Sequence, residues 1–281
     1  MKYLKQTLAL LLVLSVVTAF LHVPYANAVA APQVERSVVS TTTSTYSLMS
    51  GVKESAHKLD SGDSGYMLQI APSARATLKT SYSGYFTAGS TLASRTAAAS
   101  SLTYTKTTTT GQAAAYESAT GRDVIFASNA NFFNTDTFEP RGYLKVEGNE
   151  LHPNGSDCVC YFAVMKDGSY DIRAYTEDTS NVYEAVAGRQ WLVRDGALVT
   201  QNDVTVSART VIGLKADGTV VIFVVDGKTN SSGVTIHDMS ELMYSLGCVE
   251  AINIDGGGSS TFLSQRPGDS GLVMRSTPSD G

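Results

Sequence analysis

Charge is scarce in this sequence. Only 17% of its 281 residues are Asp, Glu, Lys or Arg, against about 25% in ordinary globular chains, and serine and threonine fill the difference. The formal balance of −5 gives no general attraction for nucleic acid or anionic surfaces, so an anionic ligand has to be held by particular residues against the overall field. Histidine is sparse as well, and only His57, His152 and His237 lie beyond the N-terminal segment. With no G-x-S-x-G elbow, a serine-hydrolase reading is reduced to Ser259 with His237 and an Asp. "CVC" at 158–160 has no second pair and no nearby His, which argues against zinc. No Gly-Lys-Ser/Thr follows the glycine-rich stretch and the G-x-G-x-x-G spacing is lacking, which argues against nucleotide loops of those kinds. No repeat of fixed period is visible, which argues against a solenoid.

Long apolar runs are confined to the beginning. "MKYLKQTLALLLVLSVVTAFLHVPYANA" carries Lys2 and Lys5, an apolar run from about Leu8 to Phe20, and Ala26-Asn27-Ala28. This is the pattern of a secretory signal peptide over residues 1–28, its apolar run being short for a membrane span. Cleavage after Ala28 leaves 253 of the 281 residues, an exported chain without a span and with a location outside the cell or at its surface. In such a compartment the odd number of cysteines, Cys158, Cys160 and Cys248, leaves at least one thiol free or paired between chains. Cys158 and Cys160 share one strand face, so either is a partner for Cys248, or all three serve as small buried hydrophobes.

Residues 29–55 are Ser/Thr-rich and read as a linker or an edge strand, with the main domain over 56–281. "GYMLQIA" and "ATLKTSYSGYF" alternate like strands, "SLTYTKTTTT" reads as a loop or irregular strand, and "RDVIFASNA" as a buried strand. Turns at Asp167-Gly168, Asp195-Gly196 and Asp217-Gly218 each separate two apolar runs and predict three β-hairpins. "TIHDMSELMYSLG" predicts a helix. Met239, Leu242, Met243 and Leu246 recur at i, i+3, i+4 and i+7, Thr235 and Asp238 form a capping box, and Gly247 suits the position after the C-cap. The strand "VEAINID" follows at once, as in an αβ unit. The expected fold class is α+β, a mixed, largely antiparallel β-sheet domain with a few packed helices.

The chemistry concentrates at strand ends. "AINIDGGGSSTF" runs an apolar strand into Asp255, then Gly256, Gly257 and Gly258, then Ser259 and Ser260. Consecutive glycine amides build an anion nest or simply a flexible turn. Asp226 ends "VVIFVVDG" in the same way, and two carboxylates at one sheet edge suit acid, base or nucleophile work. Arg209 opens the apolar strand "RTVIGL", where a guanidinium calls for a bidentate anionic partner, either a protein carboxylate or a substrate phosphate. Asn129, Asn131 and Asn134 flank Phe132 and Phe133, offering amides and an aromatic platform for a sugar, or a polar turn over two core rings.

Taken in order, "ASNANFFN", "EPRG", "WLVRDG", "ARTVIGL", "VVDGK", "GVTIHDMSELM" and "AINIDGGGSSTF" resemble the phosphodiester glycosidase family across roughly residues 60 to 281. The resemblance implies removal of a sugar such as N-acetylglucosamine (GlcNAc) from a sugar-1-phosphodiester by cleavage at the anomeric carbon. It implies a site with Asp255, Asp226 and Arg209 as catalytic groups. Asn131, Phe132, Gly256, Gly257, Gly258, Ser259 and Asp238 are expected to contact substrate. Where the family carries Glu after "GxTLx", this chain has Asp238, a shorter acid that also fills the cap. Family members continue through an Arg and a final apolar strand where this chain reads "STPSDG", so a C-terminal strand is expected beyond Gly281.

A sugar-1-phosphodiester has a leaving group already stabilised as an anion, which reduces the need for a general acid. Expected substrates are phosphorylated envelope or extracellular glycans, or nucleotide-sugar-like molecules. No cofactor is required by the sequence, although acids near a phosphate suit a divalent cation. The alternative is a non-catalytic surface module that binds anionic polysaccharide in exopolysaccharide assembly.

Overall fold

The computed structural model describes residues 39–228 and 232–279; the expected signal peptide and the first part of the Ser/Thr-rich stretch lie outside them. The largest element is an eight-stranded sheet. Its spatial order is Ser40–Met49, Val52–Leu59, Ser64–Ile70, Val220–Val225, Arg209–Lys215, Cys248–Asn253, Gln190–Arg194 and Ala197–Leu198. Facing it is a five-stranded sheet in the order Asn149–His152, Leu144–Val146, Val182–Gly188, Cys160–Met165 and Tyr170–Ala174. A small sheet of Val273–Met274, Phe262–Ser264 and Phe126–Ser128 completes the set. Each of these pairings is antiparallel, so the sheet is antiparallel throughout rather than mixed.

All six residues of Val220–Val225 are buried because the strand is covered on both sides. Val221, Phe223 and Val225 pack with Ile236, Met239 and Met243 of the helix Ile236–Ser245. Ile222 and Val224, on the opposite face, join Ile212 and Ile252 against Phe162, Val164 and Val186 of the five-stranded sheet. Helix, large sheet and smaller sheet thus form three layers. The strand Ser40–Met49 lies at the sheet edge, and the expected boundary at residue 56 falls inside Val52–Leu59, which is hydrogen-bonded into the same sheet.

The three Asp-Gly turns close hairpins where expected. Asp195 and Gly196 both take positive φ, 51° and 72°, in a two-residue loop whose twist matches the flanking strands. At the other two, the Asp167 and Asp217 carboxylates accept the N–H two residues on, from Ser169 and Thr219, each at 2.9 Å. The expected helix spans Ile236–Ser245, with the reciprocal Thr235–Asp238 cap in place and Gly247 left-handed at φ 84°.

Two helices differ from the expectation. Leu92–Ala98 starts at a Thr91–Ser94 capping box, and Thr109–Thr120 runs from the Thr108 cap to a left-handed Gly121. Both are rich in Ala, Ser and Thr and carry little apolar periodicity; their ends, not their faces, define them. "ATLKTSYSGYF" is not a strand. Its Tyr85 and Phe86 insert as anchors from an irregular segment and pack with Leu144, Val146 and Leu151.

Candidate active site

Strand ends converge at one margin of the large sheet. Val220–Val225 and Cys248–Asn253 flank Arg209–Lys215, each antiparallel to it, with Arg209 opposite Val225 and Val211 opposite Asn253. Asp226 and Asp255 therefore leave their strands at the same end, on either side of Arg209. Strand spacing of about 4.8 Å puts the two exits roughly 10 Å apart. Arg189 joins this margin, its backbone N–H donating to the Asn253 carbonyl at 2.9 Å.

Asn129 fixes the loop that carries Asp255. Its Nδ2 donates to the Asp255 carbonyl at 2.6 Å. Its Oδ1 accepts from Thr210 Oγ1 at 3.0 Å and from the Thr261 N–H at 2.9 Å. The Asp255 N–H donates to the Ala130 carbonyl at 2.9 Å. One amide thus joins the segment after Phe126–Ser128 to the Arg209 strand and to both sides of the glycine loop.

The glycines serve close approach as well as turning. The Gly256 N–H donates to Asp255 Oδ1 at 2.9 Å, and the Gly257 N–H donates to the Ala208 carbonyl at 2.8 Å. A Cβ on Gly256 would lie 3.0 Å from the Ala208 oxygen, and Gly257 has φ 60°, a region costly for other residues. Two of the three amides expected in an anion nest are therefore committed within the protein.

Beside the loop lies a cavity of about 890 Å3. Asp255, Gly258, Ser259, Asn131 and Phe132 are all on its wall. Asn131 also braces that wall: its Nδ2 donates to the Arg141 and Tyr143 carbonyls at 3.2 and 3.1 Å, and its Oδ1 accepts from the Ala187 N–H at 3.1 Å. The Phe132 ring has the exposed Arg189 guanidinium 5.9 Å from its centroid. Arg141, also exposed, donates its backbone N–H to the Phe132 carbonyl at 2.7 Å.

Other expected site residues lie off this wall. Arg209 directs Nε to the Val234 carbonyl at 3.2 Å and Nη2 to the Thr205 carbonyl, so carbonyls rather than a carboxylate are its hydrogen-bond acceptors. Burial holds its guanidinium below the ordinary value, opposed by the charges of Asp203 and Asp238. Asp226 accepts the Thr277 N–H at 2.8 Å on Oδ1 and the Thr277 hydroxyl at 3.4 Å on Oδ2. Burial raises its pKa, the Thr277 hydrogen bonds lower it, and Asp63 adds to the rise. Asp238 is occupied as the cap, accepting the Thr235 N–H at 2.8 Å.

Sequence reasoning assigned no site role to Arg189 or Arg141, and it named Asn129 only as one of three asparagines around two rings. No local pattern singles out either arginine, whereas the repeated Asn was a usable signal for Asn129. Among the described residues no group of three or more His, Cys, Asp or Glu is placed to hold a metal ion. The three cysteines are free and buried.

Residues 122–280 match the sequence model of the phosphodiester glycosidase family. The chain is 30% identical over 170 residues to the human N-acetylglucosamine-1-phosphodiester alpha-N-acetylglucosaminidase, covering 52% of this chain and 33% of the human protein. The bovine protein of that name is 28% identical over 170 residues, with 52% and 32% covered, so the match spans about a third of the length of these curated relatives. The fold is similar to that of the catalytic domain of the zebrafish N-acetylglucosamine-1-phosphodiester alpha-N-acetylglucosaminidase. The TM-score is 0.59 at 21% identity, covering 86% of this chain and 83% of that one. With the matched region taking in every strand end that forms the margin, from Asn129 through Arg209 and Asp226 to the glycine loop, the chain belongs to the phosphodiester glycosidase family.

Proposed function

We propose that this protein is an exported hydrolase that cleaves sugar-1-phosphodiesters, of the GlcNAc-1-phosphate ester type, at the anomeric carbon. The observation that carries the reading is the placement of Asp255, Gly258, Ser259, Asn131 and Phe132 on one cavity wall at the sheet margin, in a member of this family. Phe132 offers a flat apolar face to a sugar ring. Asp255 is the carboxylate for the anomeric carbon, taking a proton from the attacking water. That water supplies the hydroxyl to C1; the C1–O bond breaks, and its electron pair stays on the phosphate oxygen. The departing phosphomonoester needs positive charge and donors, which fall to Gly258, Ser259 and the exposed Arg189. In this reading Arg209 positions the loop at 205–209 on which the glycines rest, and Asp226 is the second carboxylate of the margin.

The test is release of free sugar from UDP-GlcNAc and from the ethyl ester of GlcNAc-1-phosphate, with and without EDTA. Release that is abolished in Asp255→Asn supports the reading. A folded protein that releases no sugar from either compound under both conditions sinks it.

A further inference from the structure

We infer that the phosphate released by this enzyme carries a long-chain alcohol, so that the substrate is a lipid-linked sugar-1-phosphodiester whose alkyl chain lies in the cavity beside Asp255. The inference rests on the sugar-1-phosphodiester reading and concerns the leaving-group side of the same site. The cavity that holds Asp255, Gly258 and Ser259 on its wall continues between the two large sheets. There it is lined by Ile212, Ile222 and Ile254 from one and by Phe162, Val164 and Val186 from the other. Its volume of about 890 Å3 is that of a ligand site, roughly 300–1,000 Å3, and not of the small voids that close-packed interiors tolerate.

The distribution of polar groups selects the occupant. Carboxylate, glycine loop and asparagine are gathered at the sheet margin, and hydroxyls of Ser81, Thr105 and Thr107 to Thr110 lie elsewhere on the lining with Gln112, whereas the floor between the two sheets is aliphatic and aromatic. A second sugar or a nucleotide would leave its hydroxyls without partners against such a floor, at a cost for each unpaired group. An alkyl chain loses nothing there and gains with each methylene removed from water. The cavity lining also follows the chain from Arg122 to Asn129, eight residues whose seven steps reach at most about 25 Å when extended. That leaves length for an extended chain. Lys79 and Arg122 on the same lining give the apolar stretch a polar boundary.

The experiment compares the ethyl, octyl and hexadecyl esters of GlcNAc-1-phosphate below their micelle-forming concentrations. In parallel, equilibrium binding of ethyl, octyl and hexadecyl phosphate to the purified protein is measured. The expected result is a kcat/KM that rises tenfold or more from ethyl to octyl, mainly through KM, and a matching order of binding. Val186→Phe and, separately, Val164→Phe fill the cavity. They are expected to remove that gain while the ethyl ester is cleaved at the unmodified rate, which also shows that the variants fold. If no ester is cleaved, the ethyl ester included, the hydrolase reading fails, and chain-length-dependent phosphate binding still decides the cavity. A flat dependence on chain length in both assays overturns the inference. So does hexadecyl phosphate binding that neither filling variant weakens, because the chain would then lie elsewhere.

Discussion

Asn129 Nδ2 donates to the carbonyl oxygen of Asp255 at 2.6 Å, across 126 residues of sequence. The backbone of the candidate catalytic carboxylate is thus held by a side chain from another part of the chain. Asn129→Ala deletes this bond and those to Thr210 and Thr261. At about 1 kcal/mol for each hydrogen bond, a loss of roughly 2–3 kcal/mol is expected, read as a lower urea midpoint. Asn129→Asp keeps both accepting contacts and loses the donor facing Asp255. It sets a carboxylate oxygen against the Asp255 carbonyl, so it is expected to lower the urea midpoint as well and to lower kcat tenfold or more, and unchanged turnover in a folded Asn129→Asp would remove the positioning role.

The two strand-end aspartates are expected to differ in their signatures. Asp255→Asn is expected to lower kcat/KM by about 10²–10⁴, the range of a positioned acid or base. Asp226 has its pKa raised by burial. If its ionised form supports turnover, the rate falls as pH drops through a value raised from that of an ordinary aspartate, and Asp226→Asn loses that limb of the profile. A profile of identical shape in Asp226→Asn assigns the limb to another group.

Glu184 supplies a pH dependence of stability separate from activity. It is 1% exposed, and burial raises its pKa to about 7 against the opposing charge of Lys79 at 3.5 Å. Its folded value lies above the ordinary 4.5, so the native state binds more protons than the unfolded state between the two. The contribution is full below about pH 4.5 and is lost as pH rises through about 7, a swing of roughly 3 kcal/mol. Unfolding midpoints across pH 4 to 8 are expected to show this decline in the unmodified protein and a flatter curve in Glu184→Gln. Parallel curves would assign the slope to other groups.

The cysteines are expected to be unreactive while the protein is folded. Burial pushes the Cys158 thiol up to about 11 and the Cys248 thiol up to about 12, and raises Cys160 further. Thiolate, the reactive form, is therefore scarce at pH 8. Iodoacetamide followed by intact mass measurement should give no adduct on the folded protein and three after unfolding without reductant. Fewer than three would reveal a bridge.

Features encoded by neighbouring residues were legible in the sequence, and those made by distant ones were not. The Asp-Gly hairpins and the Thr235-capped helix each depend on a few adjacent side chains. The shared exit of Asp226 and Asp255 followed from two apolar strands that each end in an Asp-Gly. The use of the Gly256 and Gly257 amides could not be read, because it depends on where the Ala208 carbonyl lies. Nor could the Arg209 acceptors, since a guanidinium at a buried strand end predicts a partner without predicting that it is carbonyl oxygen. Arg189 reaches the margin only because the strand after it pairs with Cys248–Asn253.

The central pairing of the large sheet also orders events in time. Ser64–Ile70 is hydrogen-bonded to Val220–Val225, with Ile70 opposite Val220 and Gly65 opposite Val225, so more than half the chain separates the partners. A chain emerging from the ribosome offers the meander at 40–70 long before its docking strand exists. Contacts of this sequence separation form slowly, and an unpaired strand edge left waiting invites association with other chains. Refolding from denaturant is therefore expected to be sensitive to protein concentration, with the yield of native protein falling as concentration rises.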